Sequence, residues 1–175
     1  MKIGFCGTMS VGKTTLVNAL RELPQFEGYH FVTERSEHLR DLGIPLNTDS
    51  TLKGQLVFAA ERSIELMQDN IITDRTVIDV MAFCDLSKSM DSAHKFYLNA
   101  TLTYLIGEYD VIFYVSPEGV EIEDNGVRET NAKYRTAIDK KIKSLIQMHR
   151  SNAITLKGTT EERIEQVKNA LVQYV

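Results

Sequence analysis

The stretch Gly7-Thr8-Met9-Ser10-Val11-Gly12-Lys13-Thr14 matches G-x-x-x-x-G-K-[ST] without deviation. Residues of these types at this spacing hold a polyanion. Glycines at 7 and 12 let the backbone turn where a β-carbon would clash. Successive N–H groups can then converge on phosphate oxygens, aided by the N-terminus of the helix that follows. Lys13 can reach β- and γ-phosphates, and the Thr14 hydroxyl can ligate Mg²⁺. The cradle expected from this pattern comprises Gly7, Thr8, Met9, Ser10, Val11, Gly12, Lys13, Thr14 and Thr15. An apolar run precedes it and an amphipathic run follows, which is the context the motif requires and a chance match would lack.

Mg²⁺ on a triphosphate calls for an acidic anchor near the end of a neighbouring strand. Glu34, Asp74, Asp79 and Asp110 are the candidates. Asp110 precedes the apolar run "VIFYV" and therefore falls at the opposite edge of a sheet. Asp74 and Glu34 each follow such a run and fall at the correct edge. Asp79 lies one turn into the next helix, where it can support Arg75 or face a substrate. The pair Asp74-Arg75 sets an acid beside a base, and the arginine can clamp a phosphate or stabilise a transferring phosphoryl group. Taken alone the pair reads better as a surface ion pair capping the next helix. Its proximity to the phosphate loop favours the functional role.

The elements that must position these groups alternate along the chain. Strands are expected at "KIGFCG", "YHFVTE", "NIITD", "DVIFYVS" and "AITLK". Helices are expected between them. "KTTLVNALREL" ends at Pro24, "SEHLRDLG" ends at Gly43, and "DSTLKGQLVFAAERSIELMQD" carries an apolar face of Leu52, Leu56, Ala59, Ala60, Ile64 and Met67. Further helices follow at "TVIDVMAFCDLS", at "DSAHKFYLNATLTYLIGEY" with Asp91 or Ser92 as cap, and at "ETNAKYRTAIDKKIKSLIQMHR". The last helix opens with a capping box from Thr159 to Glu162 and carries Ile164, Val167, Leu171 and Tyr174 on one face. Most helical aromatics, Phe96, Tyr97 and Tyr104 among them, are expected in the core, with Phe83 as the candidate for stacking on a base. Alternation of this kind implies an α/β fold with a parallel sheet covered on both faces. Ligands then bind beyond the carboxyl ends of the strands.

Composition narrows the function. The chain has 175 residues and fits a single domain spanning 1–175. A net charge of −4 offers no broad basic surface, so nucleic acid is an unlikely partner. The two cysteines, Cys6 and Cys84, sit in apolar context and read as buried thiols of a reducing compartment. The four histidines lack metal-ligand spacing, which argues against zinc. Apolar runs are too short to span a bilayer and no signal-peptide pattern stands at the N-terminus, so a cytoplasmic protein is expected. A GTPase would need N-K-x-D and D-x-x-G after strands, and neither occurs. No G-x-S-x-G hydrolase elbow occurs either.

With "TER" after the second strand, "TDR" after the third and two spaced arginines in "NGVRETNAKYR", the chain resembles the P-loop small-molecule kinases over nearly its whole length. These include thymidylate kinase, the deoxynucleoside kinases and the ATPase-type nicotinamide riboside kinase domain, and phage-encoded members exist. The resemblance implies a three-layer α/β/α sandwich with a five-stranded parallel sheet of order 2-3-1-4-5. It implies Asp74 as the Mg²⁺-side carboxylate, Arg75 as a contact to the acceptor or its phosphate, and Glu34 as the group that takes the acceptor's proton. It makes Arg128 and Arg135 lid residues within a segment of about 118–136. It also puts Lys157 and Gly158 where related kinases hold adenine by backbone contacts. The sequence departs from thymidylate kinases after Asp-Arg, where Thr76-Val77-Ile78-Asp79 stands, and has Glu34-Arg35-Ser36 in place of a Glu-Pro-Gly-like stretch. The composition of "SPEGVEIEDNGVRET", polar with two glycines ahead of an arginine-bearing helix, independently suits a mobile lid that excludes water.

The reading is an ATP- and Mg²⁺-dependent phosphotransferase. Its acceptor is a nucleoside, a nucleoside monophosphate or a related small molecule, held between the helices of 34–69 and 76–107. A non-catalytic or regulatory nucleotide-binding ATPase and a kinase of modified bases in DNA are the alternatives. A homodimer is left open.

Overall fold

The computed structural model describes residues 1–33, 36–119, 131–150 and 152–174. Five strands form one parallel sheet: β1 (Lys2–Cys6), β2 (His30–Val32), β3 (Ile71–Asp74), β4 (Val111–Val115) and β5 (Ile154–Leu156). Their order is β2-β3-β1-β4-β5, as the resemblance implies. In the register, Phe5 stands opposite both Asp74 and Phe113. β1 therefore delivers its carboxyl end, where the glycine-rich loop begins, directly beside Asp74.

Seven α-helices are described: α1 (Lys13–Arg21), α2 (Ser36–Asp41), α3 (Leu52–Leu66), α4 (Val77–Leu86), α5 (Ser92–Ile106), α6 (Ala132–His149) and α7 (Thr160–Leu171). The central strands are buried on both sides, so they read as continuous apolar runs. Alternation along them divides the core in two. Cys6, Ile112 and Tyr114 face one layer, packed with residues of α3, α4, α5 and α6. Ile3, Phe5, Ile72, Phe113 and Val115 face the other, packed with α1 and α7. Phe5 and Phe113 stack at 5.1 Å across the β1–β4 pair. Both cysteines are free and buried, and desolvation pushes the Cys84 thiol up to about 11. Among the described residues no helix is long and apolar enough to cross a membrane.

Capping follows the sequence closely. Asp91 caps α5, Asn131 caps α6, and the Thr159–Glu162 box closes on both sides at the start of α7. A second box, Thr76 with Asp79, opens α4. The second strand is shorter than expected and only half covered, as befits a sheet edge.

Two expectations fail. Much of the apolar face read into α3 points outward: Leu56, Ile64 and Met67 are 49%, 62% and 85% exposed, while Ala59 is buried and Leu52 packs partly against the core. Beside Ala59 the helix buries Gln55, Arg62, Glu65 and Leu66. Both sets recur at helical spacing, so periodicity alone could not choose between them. The buried choice is possible because Arg62 and Glu65 neutralise each other at 2.5 Å. Likewise Phe96, Tyr97 and Tyr104 of α5 are exposed, because Leu98, Leu102 and Ile106 already form the inward face of that helix.

Candidate active site

The loop between β1 and α1 bends through positive φ at Ser10 and Gly12. Gly12 has φ +81, which L side chains rarely adopt. At Gly7 a β-carbon would come within 2.7 Å of the Val115 carbonyl, so the loop crosses the end of β4 at a distance only glycine allows. Lys13 donates from Nζ to the carbonyls of Gly7 and Thr8, both at 2.7 Å, so its ammonium folds back over the loop. The Thr8 hydroxyl donates to the carbonyl of Arg135 at 3.0 Å.

Thr14 and Asp74 meet in front of the loop. The Thr14 hydroxyl donates to Asp74 Oδ2 at 2.5 Å. Asp74 is 1% exposed, and its Oδ1 has no hydrogen-bond partner among the described residues. An orphaned, buried carboxylate oxygen beside a hydroxyl is a donor set that suits Mg²⁺, which keeps most of its waters and takes only one or two protein oxygens. Among the described residues no cluster of three acidic, cysteine or histidine groups competes for a metal. Asp110 lies at the far edge, where its carboxylate accepts from the Lys2 backbone N–H.

Arg75 follows Asp74 with φ +92, outside the ordinary range for a residue with a β-carbon. Its N–H donates to the Phe5 carbonyl at 2.9 Å, which continues the sheet one residue past β3. The guanidinium lies 3.8 Å from Asp79 and 5.2 Å from the centre of the Phe83 ring. Asp79, fully buried, does more than support Arg75. One oxygen accepts from the Gly7 N–H at 3.1 Å, and the other accepts from the Thr76 N–H at 2.8 Å and its hydroxyl at 3.1 Å. This single carboxylate ties the phosphate loop to the Asp-Arg turn.

Two clefts meet at Arg75. The first, lined by Ser10 to Thr14, Asp74 and Arg75, is the loop cleft. The second is a partly open cleft walled by Gln55, Phe58, Arg75, Asp79, Val80 and Phe83. Gln55 is 2% exposed, and its Oε1 lacks a partner among the described residues. A buried amide of this kind can present an acceptor or donors to a planar heterocycle.

Residues 2–163 match the family model described as AAA domain. The chain belongs to the AAA-domain family. No curated protein matches this AAA-domain chain. Among solved structures it is similar to deoxyadenosine kinase from M. mycoides with products dCMP and a flexible dCDP bound. That pair shares 18% identity at a TM-score of 0.67, covering 100% of both chains. The same enzyme with bound dCTP gives 20% identity and a TM-score of 0.66, over 99% of this chain and 100% of the other. With bound dATP it gives 20% identity and a TM-score of 0.61, over 98% and 100%. The AAA-domain chain therefore has a P-loop, deoxynucleoside kinase-like fold.

Of the residues singled out in the sequence, Lys13, Thr14, Asp74 and Arg75 come together at one rim. Thr15 is the exception within the loop motif, being exposed. Arg135 stands beside the loop on α6, donating from Nε to the Met9 carbonyl and from Nη2 to the Ser10 carbonyl, both at 3.1 Å. It is thus more than a solvated helical charge. Lys157 and Gly158 follow β5, but the Lys157 backbone is engaged by the Gln166 side chain through both its N–H and its carbonyl. Glu34 and Arg128 lie outside the described residues. Sequence reading missed Gln55 and Arg163. Arg163, on α7 and 3% exposed, donates to the Val11 carbonyl at 2.6 Å and the Ser116 carbonyl at 3.1 Å. Burial lowers the pKa of both Arg135 and Arg163, yet guanidinium groups remain protonated in proteins.

Proposed function

We propose that the chain is a kinase that moves the γ-phosphate of Mg·ATP to a nucleoside or nucleotide acceptor. The observation that carries this reading is Arg75, which lines the loop cleft and the second cleft at once. A guanidinium at such a junction can touch donor phosphate and acceptor together, as phosphoryl transfer demands and a simple nucleotide sensor does not.

The donor lies along residues 7–14, with Lys13 released from the Gly7 and Thr8 carbonyls onto the phosphates. Thr14 and Asp74 hold Mg²⁺, which when bound neutralises charge on the phosphate oxygens. Arg75 orients the acceptor's reacting oxygen, Gln55 reads the edge of its base, and the apolar walls of Phe58, Val80 and Phe83 exclude water from it. Glu34 takes the acceptor's proton and Arg128 screens the triphosphate, while Arg135 would join it only on leaving the Met9 and Ser10 carbonyls that it holds in this structure. Lys157 and Gly158 border the adenine. Catalysis is mainly positioning and charge stabilisation. The similarity to deoxyadenosine kinase structures, which shows the fold, supports a nucleoside as the acceptor to try first. The proposal extends to a homodimer through α3 and α5.

The test is transfer of label from γ-labelled ATP with Mg²⁺ to a panel of deoxynucleosides, nucleosides, their monophosphates, nicotinamide riboside and DNA. Label in a nucleoside or monophosphate is expected. Label in DNA alone, or ATP binding with no transfer to any member, overturns the reading.

A further inference from the structure

Five consecutive loop carbonyls accept hydrogen bonds from cationic side chains: Gly7 and Thr8 from Lys13, Met9 and Ser10 from Arg135, and Val11 from Arg163. The two arginines come from different helices, α6 and α7. In a trans peptide the C=O and the following N–H point in opposite directions. Holding the carbonyls of residues 9, 10 and 11 on guanidinium groups therefore turns the N–H groups of Ser10, Val11 and Gly12 away from those groups. Neither arginine lines the loop cleft, whereas Ser10, Val11 and Gly12 all do.

Arg163 has the stronger position of the two. Its second arm reaches the Ser116 carbonyl, and the Ser116 N–H in turn donates to the Leu156 carbonyl at 3.0 Å. The guanidinium thus braces the loop against the joined ends of β4 and β5. A β-carbon at Gly12 would lie 3.3 Å from Arg163 Nη1, so the glycine also leaves room for this contact.

We propose that Arg163 is a positioning residue for the triphosphate: it does not touch the nucleotide but sets the direction of the amides that do. The inference rests on the loop being a nucleoside triphosphate site. A preset loop spends no binding energy on reorienting its peptides, so removing Arg163 weakens donor binding selectively. Lysine at this position keeps the charge and its donors, but its ammonium sits on a flexible stem and lacks the planar fork that fixes the directions of the Val11 and Ser116 carbonyls together.

Calorimetry with Mg·ATP as the probe, on the full chain and on Arg163→Met and Arg163→Lys, decides the matter together with melting temperatures and the acceptor KM. Arg163→Met is expected to weaken Mg·ATP by about tenfold or more, as loss of a charged hydrogen bond does. Arg163→Lys recovers part of the loss, the acceptor KM stays within about twofold, and the Gly12 and Lys13 amide resonances shift in ligand-free Arg163→Met. Unchanged Mg·ATP affinity in folded Arg163→Met overturns the proposal, as does an equal loss of donor and acceptor affinity. If Arg163→Met fails to fold, Arg163→Lys decides. Weaker Mg·ATP at an unchanged melting temperature supports the role, and unchanged affinity overturns it. Failure of the unmodified chain to bind Mg·ATP removes the reading of the loop itself, and this inference with it.

Discussion

A carboxylate with 1% exposure and one oxygen lacking a hydrogen-bond partner is expensive to keep in a resting fold. Asp74 makes sense as a group waiting for a cation, and the expected signature is a separation of stability from function. Asp74→Asn should lower turnover by about a hundredfold or more and remove the Mg²⁺ dependence of ATP binding, while its melting temperature does not fall. Scanning calorimetry beside a magnesium titration checks both halves. Gln55 follows the same logic in the second cleft. Gln55→Leu removes a polar atom that has no partner, so stability should hold. The acceptor KM should rise by about tenfold or more, since a site built to hydrogen-bond a substrate loses most when that bond goes, and the ATP KM should not move. Steady-state kinetics in both substrates tests this. Lys13, Thr14, Asp74 and Arg75 were legible in the sequence because their chemistry is written in adjacent residues at fixed spacing. Arg163 was not: its loop partner stands 152 residues away, and on a helix one more arginine looks like a solvated charge.

The helices were found where capping residues announced them, and misread where their faces had to be chosen. The α3 helix has two stripes at helical spacing, and the less hydrophobic one went inward. The cost of that choice is carried by Arg62 and Glu65, 2% and 5% exposed, which pair in the protein interior beneath α3. Breaking such a pair on one side leaves a charge without compensation and costs about 3–5 kcal/mol, whereas replacing both partners by apolar residues can be neutral. Arg62→Met is therefore expected to destabilise the fold by that amount in urea unfolding. Arg62→Met combined with Glu65→Leu should recover most of the loss. A double variant no better than the single one would mean that Glu65 is held by other partners. The pair also explains why Gln55 faces inward. With Arg62 fixed on the buried side two turns later, the helix cannot rotate to hide Leu56 without exposing both charges' neighbours and withdrawing Gln55 from the cleft.

The three layers divide the work: α1 and α7 support the loop from one face of the sheet, while on the other α6 holds the loop through Arg135 and α3 and α4 wall the second cleft. The sheet order places Asp74 next to the loop, and that much followed from strand alternation and the rule that ligands sit at carboxyl ends. The outward stripe did not follow, because strand alternation does not say which face of a helix turns to the sheet. Leu56, Ile64 and Met67 on α3, with Phe96, Tyr97 and Tyr104 on the neighbouring α5, leave more large apolar side chains in water than a monomer usually tolerates on two adjacent helices. Each helix has 15 residues, and a helix of this size is about 22 Å long and 10 Å across. Two of them offer about 440 Å² per copy, below the range of stable interfaces and within that of weak, reversible ones. A two-fold axis would pair this face with itself, since the same patch serves both copies, and reversible dimers are the expected outcome. Sedimentation of the purified chain should show a concentration-dependent monomer–dimer equilibrium. Ile64→Glu with Met67→Glu should shift it to monomer without lowering the melting temperature of the monomer, because both side chains already face solvent in the single chain. Because Gln55 lies on the opposite side of α3, pairing would also clamp the wall of the second cleft, so the acceptor KM should rise on dilution or in the double variant while Mg·ATP affinity holds. A monomer at all concentrations, with the same acceptor KM in the Ile64 and Met67 variant, would leave the stripe without this explanation.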